Sequence, residues 1–217
     1  MEITIAQILQ VENYLAKKKF EFIDLKVEVL DHMISDIEHL LTKNRSFEIA
    51  FKMTILKWEQ HFRETSSFYF GIQYSESKIV VKKAKKIFKP FFFLYMAAYM
   101  LPVIFVHNFS IIFTENTHQF LNQAFYFITL ISLMYVLFII VNVLKSRVKT
   151  TYSFILKTQY LGAVFLVFSL IRGDFFNADG AIKGVFIGFL FAGFAVTYIF
   201  HVFYRKHKRA IKKYKIS

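Results

Sequence analysis

The chain has 217 residues, 56% of them hydrophobic, with 29 Phe, 2 Pro and no Cys, and its formal net charge is +13. This apolarity, with a mean hydropathy of +0.42, excludes an ordinary water-soluble domain and fits a polytopic membrane protein. The absence of Cys excludes disulfides and thiolate metal sites.

Charge is divided unevenly along the chain. Residues 1 to 66 hold 9 Lys+Arg against 11 Asp+Glu, so the positive excess lies entirely in the remainder. The amino terminus, Met-Glu-Ile-Thr, lacks a basic segment followed by an apolar core and a small-residue cleavage site. No removable signal peptide is expected, and the first transmembrane helix is expected to do the targeting.

Residues 1 to 66 read as a cytosolic bundle of three helices. The first, Ile3 to Lys19, is expected to bury Ile5, Ile8, Leu9, Leu15 and Ala16. The second, Ile23 to Thr42, carries Ile23, Val27, Leu30, Ile34, Ile37 and Leu41 at alternating spacings of four and three, an apolar seam. Ser46 is placed as the N-cap of a third helix that would bury Phe47, Phe51, Ile55, Trp58 and Phe62. At this length the domain is small but adequate for a marginally stable bundle, with the membrane or a partner as additional support.

Opposite the seam of the second helix, Glu28, His32 and His39 lie within about 40° of one another by the helical period, with Asp31 and Ser35 beside them. These residue types could hold a divalent metal. The alternative, a polar stripe facing solvent or a protein partner, is the one adopted for Glu28, Asp31, His32, Ser35 and His39.

The segment "EVLDHMISDIEHLLTKNRSFEIAFKMTILKWEQHF", residues 28 to 62, has an E-x-x-D-H start, Ile37-Glu38, Ser46-Phe47-Glu48, Ala50-Phe51 and Trp58. It resembles the HAAS type of helical prefix domain, and the related permease prefixes, of bacterial membrane proteins. The resemblance implies a helical module joined to a membrane effector, a role in signalling, and in some members a PadR-like regulator as partner. It implies no catalytic residue.

Residues 67 to 90 read as a linker and a basic amphipathic helix. The Ser content and Gly71 of "TSSFYFGIQYSES" favour an irregular segment. Its Phe68, Tyr69, Phe70 and Ile72 are expected to dock on the bundle or on the membrane surface, because leaving them in water is costly. After it, Lys78, Lys82, Lys85 and Lys89 share one helical face, and Val80, Ala84, Ile87 and Phe91 share the other. A helix of this kind suits the membrane surface, with Lys78, Lys82, Lys85, Lys86 and Lys89 on anionic lipid headgroups. Pro90 predicts a corner before the first span.

A span needs about 20 residues at 1.5 Å each to cross roughly 30 Å of hydrocarbon. Phe91 to Phe113, Phe120 to Leu144, Tyr152 to Ile171 and Ala181 to Tyr204 all qualify, giving a four-helix transmembrane region over 91 to 204 and a basic tail over 205 to 217. Seventeen Lys and Arg lie before the first span, around the second connection and in the tail, against only Arg172 and Lys183 in the other two connections. This asymmetry puts both termini in the cytoplasm, and the resemblance to bacterial membrane proteins implies the inner membrane. Because every basic cluster abuts a span, the charge is assigned to topology and lipid, and no nucleic-acid partner is expected.

None of the spans has an Asp, Glu, Lys or Arg near its middle, whereas proton relays and coupled transport use such groups. His107, Asn108, Asn142 and His201 fall at different depths. An outer cluster of His107, Glu115, His118, Asp174 and Asp179 includes metal-ligand types without a ligand motif. Gly180, Gly184, Gly188 and Ala192 recur every four residues, a smooth stripe for helix packing within the bundle or in a homo-oligomer.

The expectation is therefore an all-α protein: a small N-terminal three-helix bundle, an interfacial helix and a four-helix transmembrane bundle. The expected role is non-enzymatic and cofactor-free, regulatory or scaffolding, with a cytosolic or membrane protein as partner. A small permease, channel or transporter subunit is the alternative, and a metal-dependent membrane enzyme a second one.

Overall fold

A computed structural model describes residues 3–214, apart from the side chain of Arg172. The order of elements is α1 (Ile5–Lys17), α2 (Ile23–Leu41), α3 (Phe47–Phe62), β1 (Glu64–Ser67), β2 (Gly71–Ser77), α4 (Lys78–Asn108), α5 (Glu115–Lys145), α6 (Thr151–Thr158), a 3-10 turn (Tyr160–Ala163), α7 (Val164–Arg172) and α8 (Gly184–Tyr214). The chain is mostly helical, and it forms two compact units.

The first unit takes in Met1–Lys86, Arg147–Phe154 and Lys206–Ser217. α1 starts at a capping box: Gln7 N–H donates to Thr4 Oγ1 at 3.4 Å, and Thr4 N–H donates to Gln7 Oε1 at 2.9 Å. Two otherwise orphaned donors are thereby satisfied. Lys18 Nζ reaches Glu59 Oε1 at 2.9 Å, tying α1 to α3. α3 begins after Ser46, whose backbone takes the N-cap conformation while its side chain makes no capping bond.

The core of this unit differs from the expected seams. α1 buries Val11 and Leu15, while Ile5 is 80% and Leu9 51% exposed, and Ala16 is also exposed. α2 buries Leu25, Val29, Met33, Ile37 and Leu41, a row with a uniform spacing of four, and leaves Val27 exposed. α2 carries two overlapping apolar rows, and contact with α1 and α3 selects this one. Asp24 is buried as well, because residues 149 to 151 lie against the start of α2: Ile23 N–H donates to the Lys149 carbonyl, and Thr151 N–H to Asp24 Oδ1 at 2.9 Å.

The segment read as irregular is an antiparallel hairpin. Glu64 pairs with Ser77 and Thr65 with Glu76, and an irregularity of register follows Thr65. Gly71 has φ +86, a left-handed value that glycine adopts without steric cost and that lets the strand re-enter after the turn. Phe70 is buried, its ring centroid 5.2 Å from that of Phe154, whereas Phe68 and Ile72 are exposed.

The interfacial helix with a corner at Pro90 is replaced by a single 31-residue helix, α4, with Pro90 and Pro102 inside it. A proline removes one intrahelical bond, but its φ is compatible with the helix, and long apolar helices accommodate the loss. The apolar face expected to lie on lipid packs on protein instead: Val80 belongs to the same buried cluster as Leu15, Leu25 and Trp58, with Ile79 packed against it.

The second unit takes in Ile87–Ser146 and Ile155–Arg205. α4, α5 and α8 are each long and apolar enough to cross a membrane, and α6 with the 3-10 turn and α7 forms a further pair bent by 47°. α8 spans about 46 Å at 1.5 Å per residue and runs without a break from the apolar stretch into the basic tail. The loops before α5 and α8 pair with each other: Phe113 N–H donates to the Gly180 carbonyl at 3.1 Å, and Ile112 bridges Ala181. Asn122 Oδ1 accepts from Phe175 N–H at 2.9 Å.

Gly180 lies outside α8 with φ +82, and a Cβ there would collide with the Phe113 carbonyl. It is a turn residue rather than the first step of a helical stripe. Gly188 is the close-approach position, since a Cβ on it would lie 2.6 Å from Val103 Cγ2 and 3.1 Å from the Tyr99 carbonyl oxygen. Gly184 has only an ordinary contact with Val106 at 3.4 Å, and Ala192 is fully buried. The small residues of α8 thus admit α4 within this bundle.

Candidate functional site

The polar stripe on α2 is exposed along its length: Glu28, Asp31, His32, Ser35 and His39 all face solvent. Glu28 differs from the rest because its Oε2 accepts from Lys83 Nζ at 2.8 Å, which makes it a link between α2 and α4. Beside the stripe, Asp36 accepts from Lys57 Nζ at 2.7 and 2.8 Å and from Trp58 Nε1 at 2.8 Å. Burial pushes the Asp36 carboxyl up, but these hydrogen bonds and the nearby Lys57 and His32 charges outweigh it and hold the group below its ordinary range. α2 and α3 are therefore clamped through a single carboxylate.

α3 has a second apolar face. Ala50, Thr54 and Trp58 are buried, and on the opposite side Ile49, Met53 and Leu56 are 48%, 47% and 63% exposed. Their spacing of four and then three puts them on one row of the helix. The sequence shows this row plainly, but a reading that assigns one apolar face per helix stops at Phe47, Phe51 and Phe62. An amphipathic helix in a small bundle ordinarily turns polar side chains outward; here both sides are apolar and one is uncovered.

Lys78, Lys82, Lys85, Lys86 and Lys89 are exposed on α4, and Lys85 Nζ lies 5.4 Å from the centroid of the Tyr69 ring. Lys83 behaves differently: it is half-buried and reaches both Glu28 and the Asp24 carbonyl oxygen.

Among the described residues of the second unit the polar groups do not converge. Asn108 and Asn142 donate to carbonyls of their own helices, Ile104 and Phe138, and His201 Nδ1 shares a 2.6 Å hydrogen bond with Tyr135 Oη. Glu115 accepts from Gln119, Asp174 from Asn122 and Asp179 from Ala181 N–H, while the His118 ring lies beside Phe176. His107 is exposed near the end of α4. Among the described residues no three His, Asp or Glu side chains gather closely enough to hold a metal ion. A cavity of about 830 Å³ in this unit is walled by apolar groups such as Pro102, Phe105, Phe125, Phe176 and Ile187.

Comparison with family models, with curated proteins and with solved structures finds no match to this chain.

Proposed function

We propose that this chain is a membrane-embedded regulatory or scaffold protein whose helical unit docks a protein partner through the outer face of α3. The observation that carries this reading is the uncovered row Ile49, Met53 and Leu56 on a helix whose other face is already in the core. Covering three half-exposed apolar side chains contributes about 1 kcal/mol each, together roughly a hundredfold in affinity. The exposed Asp31, His32, Ser35 and His39 of α2 supply polar contacts that favour one partner over others. The HAAS-like pattern of residues 28 to 62 fits the same role.

The helical unit lies in the cytoplasm, and the chain crosses the inner membrane four times. Two features support this topology. The first unit gathers the N-terminal region, the second connection and the tail, the segments rich in Lys and Arg that the positive-inside rule retains in the cytoplasm. The loops before α5 and α8 are hydrogen-bonded to each other. If the bent α6–α7 pair turned back within the bilayer, those loops would lie on different sides; as a broken span it leaves them together.

Site-specific photo-crosslinkers at Met53 and Leu56 in native membranes test the proposal. They capture one protein partner, and M53E and L56E abolish the capture while the thermal melt of the full chain is unchanged. Absence of any crosslinked protein at both positions overturns it. A second reading, carriage of an apolar solute, rests on the large apolar cavity of the second unit; flux of such a solute into reconstituted vesicles, lost on changing Phe125, would establish it instead.

A further inference from the structure

Within the first unit, the start of α4, the start of α6 and the tail of α8 enclose a cavity of about 340 Å³. Four cationic side chains, Lys83, Lys206, Arg209 and Lys213, stand on its walls, with Asp24 as the one carboxylate. On α8 the three basic residues follow at spacings of three and four, which puts them on one face. Ala210, on the same face, leaves the space between them open.

The walls are held in place by bonds that do not involve a ligand. Lys83 is oriented by Glu28 Oε2 at 2.8 Å and the Asp24 carbonyl oxygen at 3.2 Å. The tail of α8 is fixed by His207, which is buried and shares a 2.9 Å hydrogen bond with Thr150 Oγ1. The next residue, Thr151, donates its N–H to Asp24 Oδ1 at 2.9 Å. Lys206 Nζ sits 6.0 Å from the centroid of the Tyr152 ring. Cations brought together from segments more than a hundred residues apart repel one another, and a bound anion relieves that repulsion.

Asp24 narrows the choice of anion. Oδ1 is engaged by Thr151, whereas Oδ2 is buried and has no hydrogen-bond partner among the described residues. Next to a bare phosphate this carboxylate is repulsive, but it accepts a hydrogen bond from a ligand that carries hydroxyl groups beside its phosphate.

We propose that Lys83, Lys206, Arg209 and Lys213 bind the phosphate of a hydroxyl-bearing phosphate ester, with Asp24 as acceptor for its hydroxyl. Two sources offer this chemistry: the headgroup of phosphatidylglycerol, and a soluble ester such as glycerol phosphate. In the sequence Lys83 precedes one apolar stretch, and Lys206, Arg209 and Lys213 follow another, the positions from which basic residues reach lipid headgroups. The site is separate from the exposed lysine row of α4, which lines no part of the cavity.

Native mass spectrometry of the full chain in a phosphate-free detergent tests the proposal by titration with phosphatidylglycerol, phosphatidylcholine or glycerol phosphate. The site variant is R209Q/K213Q. The control is K208Q/K212Q, which removes the same charge from the same helix without touching the cavity. One equivalent of phosphatidylglycerol binds saturably, phosphatidylcholine at least tenfold more weakly, and the site variant loses at least tenfold in affinity while the control loses less than twofold. R209K, which keeps the charge, restores most of the binding to a single R209Q variant. Saturable binding of glycerol phosphate with the same dependence on variants, without lipid selectivity, supports the site and assigns it a soluble ligand. Equal losses in the two double variants, or no saturable binding of either ester, overturns the proposal.

Discussion

Replacing Asp36 tests whether one carboxylate clamps α2 to α3. In D36A two contacts disappear: a charge-assisted hydrogen bond from Trp58 Nε1 at 2.8 Å and an ion pair with Lys57 at 2.7 Å. The Trp58 indole is 8% exposed, so its N–H loses its partner with little access to water. A hydrogen bond to a charged group is worth about 1.5–3 kcal/mol, and an ion pair whose lysine is largely exposed adds about 0–1 kcal/mol. The expected loss is about 2–3 kcal/mol for D36A and about half that for D36N, which keeps an acceptor for the indole. Trp58 is the single tryptophan of the chain, so its emission reports on this site alone during a urea titration of the full chain in detergent. With a slope of about 1–3 kcal/mol per M, D36A lowers the urea midpoint by roughly 1 M and D36N by less. The carboxyl is held below its ordinary value of 3.8, so its contribution is complete above that value and is lost as pH falls through the depressed one. A D36A midpoint equal to that of the unaltered chain at pH 7, or D36N costing more than D36A, would refute the clamp.

Other consequences follow from the same geometry. Burial, and then the charges of Lys78, Lys82 and Lys57, hold the His61 imidazole below its ordinary 6.5; the unfolded chain binds its proton first, so stability falls as pH drops below about 6.5. The urea midpoint of the unaltered chain therefore falls more between pH 7.5 and 5.5 than that of H61Q. In α8, G188A forces a Cβ against Val103 and Tyr99 and costs about 1–3 kcal/mol, read as a lower melting temperature in detergent, whereas G184A leaves it within a degree or two. Residues 1 to 66 expressed alone lose Phe70 and Val80, both buried in the intact unit; at about 1.5–3 kcal/mol each this loss rivals the whole stability of so small a domain. That fragment shows little cooperative unfolding by circular dichroism, and V80A in the full chain lowers the Trp58 urea midpoint.

The helices of the first unit were legible because their signals are local: Ser46 at a cap position and apolar residues at helical spacing both sit in a few consecutive residues. Which row of α2 faces inward was not local. Val27 and Val29 are equally apolar, and only the placement of α1 and α3 makes Val29 the buried one. Pro90 misled for a related reason, since a rule about one lost hydrogen bond says nothing of the neighbours that keep α4 continuous. The hairpin was hidden by its Ser and Gly content, although Phe70 was among the aromatics expected to dock. At the candidate sites, Asp31, His32, Ser35 and His39 were readable as an exposed stripe, and Glu28 would have been recognised as a structural partner only by knowing where Lys83 lies. The basic cavity was out of reach, because Lys83 and Arg209 are far apart in the chain and each, taken alone, is one more positive charge beside a span.

Four crossings with the basic segments retained in the cytoplasm is the claim on which the functional reading depends, and the cysteine-free chain permits a direct test. Single variants T42C, S110C, S146C and N177C are exposed to a membrane-impermeant maleimide in intact cells and again after lysis. The account predicts that S110C and N177C label in intact cells and that T42C and S146C label only after lysis. Labelling of S146C from outside, or protection of N177C while S110C reacts, would contradict it.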